Sequence, residues 1–327
     1  MEEIQTWREL LGRLTNDPQE RQRIADAMSI NSVTLTRWVT GRSNPRQDNL
    51  RPLLDALPQH RQQLAKLIAK EFPQFFVELL GTENDVQEIP SAFYARILNA
   101  HTTSPSQLRA ASVCLLILQQ ILAHLDPQQF GMAVIVAQCV PPSQGQKVRS
   151  LRKTFARGTG PWHSQIEIRT EFFGAESQPG HSVLTSHPIV VQNHEEKQRL
   201  FPTHCAGPES ESIAAYPILL ADRTAGSFCL LSSQPEYFTQ ARRDLVQDYV
   251  NLLVMAFERS EFYNLNNIEL GIMPNLDIQN TLLKDFHYRV TQLMIQASQN
   301  NQHLIRPEAE RIVWQEFEEE LLHYSLH

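Results

Sequence analysis

Hydrophobic residues recur at three- and four-residue intervals along the first hundred residues, the spacing of amphipathic helices. Helices are predicted at 2–14, 19–30, 32–39, 49–57, 60–80 and 91–100. Asp17 and Pro18 mark a helix start, and Pro73 is expected to kink or break its segment. The pattern predicts an all-α N-terminal domain, residues 1–58, followed by a helical connector, residues 59–103.

The pattern changes at Ser104. An apolar helix, residues 104–126, opens with a capping-box-like S-P-S-Q. Apolar and β-branched runs then predict strands at 131–140, 147–158, 187–192, 213–221 and 226–233. A long closing helix is predicted at 239–265, and two more amphipathic helices at 282–300 and 307–326. The predicted fold class is multidomain, α and α+β, with a strand-rich domain at 104–263 and a C-terminal helical region at 264–327.

Bulk charge does not point to nucleic acid, because the 327-residue chain carries a formal net charge of −7. The charge is uneven, however: residues 37–51 hold four arginines and one acid, whereas residues 265–327 hold nine acids and four basic residues. The four widely spaced cysteines form no CxxC pair and indicate free thiols. We find no apolar signal core and no uninterrupted membrane-length apolar run, so a cytoplasmic protein without membrane attachment is expected.

The segment 23–58 has the organisation of a helix-turn-helix, with Ala25 at the contact between two helices and Trp38 in the core. It resembles the Xre-like, lambda-repressor-like family of DNA-binding domains. Residues that match the family pattern in order are Ala25, Thr34, Thr36, Arg37, Trp38, Gly41, Pro45, Leu50, Leu54 and Leu57. The chain departs from the family pattern at three positions. Many members have glutamine where Arg23 stands, glycine where Ser29 stands and glutamate where Val39 stands.

The resemblance implies a role in binding double-stranded DNA, with residues 32–39 as the helix in the major groove. Base edges would be approached by Ser32, Val33, Thr34 and Arg37, since arginine suits the two acceptors of guanine. Phosphates would be contacted by Thr36, Arg42 and Arg46. Domains of this kind bind inverted repeats as dimers.

The strand-rich region contains a second ordered set of residues. They are Ser212, Tyr216, Pro217, Ile218, Gly226, Leu230, Pro235, Phe238, Leu245 and Leu252, and Ser186 stands where a glycine is usual. Residues 105–262 thereby resemble the GAF family of small-molecule sensor domains. The resemblance implies an antiparallel sheet with helices on one face and a ligand pocket on the other. The pocket wall would include Phe155, Trp162, Phe172, Phe173, His181, Tyr216 and Cys229.

No ligand or cofactor is identified by the sequence. The cyclic-nucleotide NKFDE set is absent, and so is the Cys-His pair that tethers a bilin, since Ala206 follows Cys205. Five histidines between His163 and His204 lack metal-site spacing, and no nucleophile or phosphate-loop motif occurs. An enzyme is therefore not expected. Core packing is the alternative role for each pocket residue.

The two resemblances together predict a homodimeric transcriptional regulator whose GAF-like domain senses a small molecule or mediates dimerisation. Helices 108–125 and 245–262 are the candidate dimer surfaces. The alternative is a signalling or scaffold protein that uses its GAF-like and helical regions for protein contacts, with the N-terminal domain as a docking module. The operator, the effector and the sign of regulation are not specified by the sequence.

Overall fold

The computed structural model describes residues 6–57, 60–72, 88–162, 166, 169–202 and 210–324. The chain forms two compact units, Met1–Val86 and Gln87–His327. Helices of the first unit are α1 (Trp7–Leu14), α2 (Pro18–Ala27), α3 (Ser32–Val39), α4 (Gln47–Ala56) and α5 (Arg61–Glu71). Its helical content follows the predicted pattern.

Local sequence accounts for the helix starts of the first unit. The side chains of Thr6, Asp17 and Asn31 each accept a backbone N–H at the beginning of α1, α2 and α3. Apolar residues of all five helices meet in one core, where Leu11, Ile24, Leu35, Leu50 and Ile68 are fully buried. Trp7 donates its indole N–H to Glu71, 2.6 Å away. This bond ties α5 to α1.

The residues predicted as a connector, 59–103, are divided between the two units. α5 packs on α1 and α4, so it completes the first unit. The helix α6 (Ser91–Thr103) packs on the second unit, where the Phe93 ring meets Tyr249 edge-on at 6.1 Å. The C-terminal half of the predicted helix 60–80, beyond Phe72, lies outside the described residues.

The second unit is built on a seven-stranded antiparallel sheet. Its elements after α6 are α7 (Ser106–Leu125), β1 (Met132–Cys139), β2 (Leu151–Gly158), β3 (Phe172–Phe173), α8 (Gln178–Thr185), β4 (Ile189–Val191), α9 (His194–Leu200), β5 (Ser212–Leu220), β6 (Arg223–Ser232), α10 (Gln240–Leu253), β7 (Tyr263–Asn264), α11 (Leu276–Leu282), α12 (Phe286–Gln299) and α13 (Arg306–Tyr324). The strand order is β3-β2-β1-β6-β5-β4, with β7 beside β6. Helices α7 and α10 cover one face, and the short helix α8 packs on β5 and β6.

Helix α7 is long and apolar enough to cross a membrane by composition alone. Seven of its residues, between Val113 and Leu125, are buried in the second unit. A core helix satisfies the same composition test, so this helix is weak support for a membrane span. The expected capping box at its start is not formed: the N-cap is Pro105, which has no side chain to accept a hydrogen bond.

The predicted closing helix at 239–265 is too long. α10 ends at Leu253, and the chain continues through two short 3-10 turns into β7. A capping box between Glu258 and Glu261 fixes the second turn. Phe257 and Phe262 are buried on either side of it. Burial of these rings and pairing of β7 with β6 replace the predicted continuous helix.

The C-terminal helices are not a separate extension, because they fold back on the edge of the sheet. Gln279 of α11 forms two hydrogen bonds with the backbone of Phe172 in β3, at 2.8 and 3.0 Å. The rings of Phe286 and Trp314 stack between α12 and α13, with centroids 3.9 Å apart. Ser150 donates to the buried carboxylate of Glu318.

Two serines occupy left-handed backbone positions where the two families that the sequence resembles commonly have glycine. Ser29, between α2 and α3, has φ +55°, and Ser186, after α8, has the same value. Gly226 in β6 has φ +146°, and a Cβ atom there would overlap the Ala137 carbonyl oxygen. The chain thus needs glycine at 226 and tolerates some strain at 29 and 186.

Ser186→Gly is expected to raise the free energy of unfolding by about 0.5–1 kcal/mol. Glycine removes the left-handed penalty but loses more backbone entropy on folding. Gly226→Ala is expected to lower the free energy of unfolding by about 1–3 kcal/mol or more. Alanine would be strained at this positive φ, and its Cβ atom would also overlap the Ala137 carbonyl oxygen. Urea unfolding of the full chain, followed by circular dichroism, measures both. Shifts of the same sign in the two variants would contradict the backbone argument.

Candidate functional site

Helix α3 has a buried face and an exposed face. Leu35 and Trp38 are 0% and 3% exposed and fix the helix against the core. The opposite face presents Val33, Thr36 and Arg37 to solvent. Val33 is 54% exposed, although valine is among the residue types most often buried. An exposed apolar side chain beside a cation can contact both the methyl group and the polar edges of bases.

The turn after α3 extends this exposed surface. Gly41 has φ +70°, the left-handed conformation expected of the residue that ends a helix, and the Arg42 N–H donates to the Arg37 carbonyl. Arg42 and Arg46 follow on the exposed side. Within the described part of the chain, the side chains of Arg37, Arg42 and Arg46 have no hydrogen-bond or ion-pair partner. Three cations therefore lie on and after one helix without internal neutralisation.

The remaining predicted DNA contacts also lie at this surface. Ser32 and Thr34 are partly exposed near the start of α3. The Thr36 hydroxyl donates to the Ser32 carbonyl at 3.2 Å. All seven residues predicted from the resemblance are thus on α3 or within seven residues after it. By contrast, Arg8 pairs with Glu71 and Arg23 with Glu20, so these cations of the same unit are neutralised.

The seven predicted pocket residues do not lie together. Trp162, Phe173 and Cys229 pack on the sheet face that α8 covers. Phe155, Phe172 and Tyr216 lie on the opposite face. The Tyr216 hydroxyl there donates to the Arg243 carbonyl of α10 at 3.3 Å. The seventh, His181, is exposed on α8 and meets Phe201 edge-on.

A β-bulge explains the position of Phe155. Between Val136 and Ala137 the pairing of β1 shifts from Phe155 to Lys153, so Thr154 is an extra residue in β2. The bulge reverses the alternation of side chains. Phe155 therefore pairs with Val136 on the α7 side, while Lys153 pairs with Ala137 on the side of α8. Uniform alternation along 147–158 could not reveal this.

The α8-covered face of the sheet carries a charged pair. Lys153 is buried and Glu171 is mostly buried. The backbone N–H of Lys153 donates to the backbone carbonyl of Glu171 at 2.9 Å. Burial lowers the pKa of Lys153, and the Glu171 charge opposes this shift. Burial raises the pKa of Glu171, and Lys153 and Arg169 oppose it. These groups supply polarity at the face on which the resemblance places a ligand.

Cysteine and histidine chemistry is limited by burial and placement. Cys114, Cys139 and Cys229 are free and buried. Burial raises the pKa of the Cys139 and Cys229 thiols to about 12, and it raises that of Cys114 as well. Cys205, His163 and His204 lie outside the described residues. In the ranges that the structure describes, no three metal-ligating side chains are grouped.

Two adjacent cavities lie where the sheet edge meets α13, and they were not anticipated from the sequence. Their volumes are about 150 and 200 Å³, and Val140, Pro141 and Arg152 line both. The first also contains Glu261 and Tyr263, and the second contains residues of α13. By sequence, Arg152 is only one basic residue within the predicted strand 147–158. Its environment depends on α13, which is about 160 residues away in the chain.

Comparison with known proteins identifies the sheet domain. Residues 98–257 match the model of the GAF domain, so the second unit of this chain carries a GAF domain. No curated protein matches the chain.

Similar solved structures include the GAF domain from Acinetobacter phosphoenolpyruvate-protein phosphotransferase (12% identity, 50% of this chain and 90% of that chain, TM-score 0.34). Another is the free methionine-R-sulfoxide reductase from Neisseria meningitidis in complex with its substrate (13% identity, 53% of this chain and 94% of that chain, TM-score 0.34). A third is the type II free methionine-R-sulfoxide reductase from Thermoplasma acidophilum (10%, 46% and 92% coverage, TM-score 0.33).

Cys114, Cys139 and Cys229 are expected to resist alkylation by iodoacetamide at pH 8 in the folded protein, because the thiolate reacts and burial suppresses it. Labelling of each cysteine peptide is measured by mass spectrometry, with the protein in denaturant as the control. Labelling of Cys229 as fast as in denaturant would show that the α8-covered face opens to solvent.

Proposed function

We propose that this protein is a cytoplasmic, sequence-specific DNA-binding transcription regulator whose GAF domain senses a small molecule or mediates dimerisation. The observation that supports DNA binding is the surface of α3 and the following turn. It presents Arg37, Arg42 and Arg46, which have no partner among the described residues, beside the exposed Val33. In this proposal α2 and α3 form a helix-turn-helix, with α3 in the major groove.

Each side chain of this surface has a separate task in the proposal. Arg37 projects from the exposed face of α3, where its guanidinium would donate to the two acceptors of a guanine. Val33 lies one turn earlier, so it would contact the methyl group of a neighbouring thymine. Arg42 and Arg46 follow the helix and would bind phosphates, which orient the domain without reading sequence.

A homodimer would place two copies of α3 on an inverted repeat, with half-sites about 34 Å apart. The surface we propose for dimerisation lies on α6 and α7. Its members are exposed hydrophobic residues: Tyr94, Leu98, Leu108 and Leu115 are 40–59% exposed. Leu108 and Leu115 are seven residues apart on α7 and so share one face. The other candidate, α10, buries its apolar residues in its own domain and exposes Asp244, Asp248 and Asn251.

The GAF domain, and the charged groups Lys153 and Glu171 on one face of its sheet, support the proposed ligand sensing. A ligand at the α8-covered face would meet Lys153 and Glu171, which are desolvated there. An effector alters DNA affinity only if it binds two dimer geometries with unequal affinity. Packing of α7 against β1 and β2 gives the sheet a direct route to the proposed dimer surface.

Arg37→Ala is expected to weaken binding to the selected DNA site by about 1–3 kcal/mol and to relax specificity at one base pair, because a bidentate base contact is lost. Selection of genomic fragments by the purified protein, followed by sequencing, identifies the site. Fluorescence anisotropy then measures affinity. Arg259→Ala, which removes an exposed arginine from the second unit, is the control for loss of one charge.

Arg42→Ala should give a different result. If it binds phosphate, affinity falls by a similar factor on all sequences, and the slope of log K against log salt decreases by about 0.9. Retained specificity distinguishes it from Arg37→Ala. Failure of the wild-type protein to enrich any fragment at low salt would contradict DNA binding and favour the scaffold role, in which the first unit docks to protein.

Leu115→Glu is expected to shift the protein from dimer to monomer, because a carboxylate would replace an apolar contact in the proposed interface. Sedimentation velocity over a concentration series measures the change. Leu200→Glu is the matched control, since Leu200 is 49% exposed and Leu115 is 48% exposed. A wild-type protein that stays monomeric at the highest concentration, or equal effects of both substitutions, would rule out this interface.

A further inference from the structure

The side chain of Arg152 is partly enclosed by the fold, but its charge and its N–H donors have no partner among the described residues. It is partly buried in β2, and its guanidinium carbon lies 4.5 Å from the centroid of the Trp314 ring. No carboxylate of the described residues forms an ion pair with it, and its N–H groups have no hydrogen-bond partner among them. A guanidinium that lies over an aromatic ring keeps its in-plane N–H donors available for a further partner.

The available donors face the two cavities described above. Because Arg152 lines both, the cavities form one cleft, here called the Arg152 cleft. Val140, Pro141 and Pro307 give it apolar walls, while Tyr263 and Gln315 add polar groups. Volumes of about 150 and 200 Å³ suit a molecule of a few heavy atoms. The cleft is on the sheet face that carries Phe172, opposite the face covered by α8.

The other charges of the cleft define the ligand further. Glu310 is paired with Arg306 at 2.8 Å. Glu261 accepts from the Glu258 backbone N–H at 2.7 Å and from Gln138 at 3.4 Å. These carboxylates have partners already, whereas Arg152 has none in the described ranges of the chain. A second arginine, the exposed Arg311, also lines the second cavity. Two arginines and two carboxylates leave the cleft without an excess of positive charge, which favours a ligand with a single negative charge over a phosphate dianion.

We propose that the Arg152 cleft binds a small organic monoanion through its carboxylate, which Arg152 holds in a bidentate pair. The ligand's apolar part lies against Val140, Pro141 and Pro307. Since one wall of the cleft belongs to the sheet and the other to α13, the bound carboxylate also stabilises docking of the C-terminal helices. This site is distinct from the ligand face of the proposed sensor, and it does not depend on DNA binding.

The test uses isothermal titration calorimetry on the full chain, at constant ionic strength. The probes are monocarboxylates from acetate to benzoate, with inorganic phosphate as the competing anion. Carboxylates are expected to bind and phosphate to bind more weakly. Arg152→Gln should weaken carboxylate binding roughly tenfold or more, because a charge-assisted pair is lost. Arg157→Gln, on the same strand but outside the cleft lining, should leave the affinity unchanged.

A second variant keeps the test decisive if Arg152→Gln does not fold. Glu310→Gln removes a negative charge from the cleft rim and is expected to tighten carboxylate binding roughly two- to tenfold. Absence of binding by every monocarboxylate would overturn the proposal. Equal affinities in Arg152→Gln and wild type, or weaker binding in Glu310→Gln, would also overturn it. Tighter binding of phosphate than of any carboxylate would refute the ligand class.

Discussion

Burial of both faces of the β5–β6 pair is the constraint on which the second unit depends. Residues Ser212–Ile218 of β5 and Thr224–Ser232 of β6 are buried throughout. One face must therefore be covered by α7 and α10, and the other by α8 and its neighbouring loops. Alternating side chains divide between these layers, so Tyr216 contacts α10 while Ala215 and Cys229 join the opposite cluster. The positions of α8 and α10 follow from the need to cover this pair.

The same constraint explains which parts of the fold were accessible from sequence. The periodicity of apolar residues located the strands and the amphipathic helices, because apolar residues lie on the buried side of each element. It could not assign the predicted pocket residues to one face, because the bulge at Thr154 reverses the alternation of β2. It also overextended α10, since Phe257 and Phe262 continue an apolar pattern that belongs to two turns and a strand. Burial can be inferred locally, but the partner that provides it cannot.

At Ser29 and Ser186 the residue type differs from the glycine that is common in the two resembled families, but the backbone has the conformation that glycine favours. Ser29 and Ser186 weaken the two resemblances when sequences alone are compared, because glycine is common there. The structure shows the conformation that glycine would favour at both positions, φ +55°. Both serines therefore adopt a backbone conformation that is more favourable for glycine. The hydrogen bond from the Ile30 N–H to the Ala25 carbonyl, 2.9 Å long, closes the turn between α2 and α3 despite the serine.

Contacts between the C-terminal helices and the sheet form a covered sheet edge and a cleft around Arg152, which no single segment of the sequence contains. Gln279 completes the backbone hydrogen bonding of β3, and Ser150 binds Glu318, so α11 and α13 act as covers for one edge of the sheet. Covering an edge prevents pairing with another chain. It also brings Trp314 over Arg152 and forms the second wall of a cleft around a cation of the sheet. Docking of α13 therefore both protects the sheet edge and encloses Arg152. Because a ligand that contacts both walls of the cleft favours the docked state, binding in the cleft is linked to docking of α13.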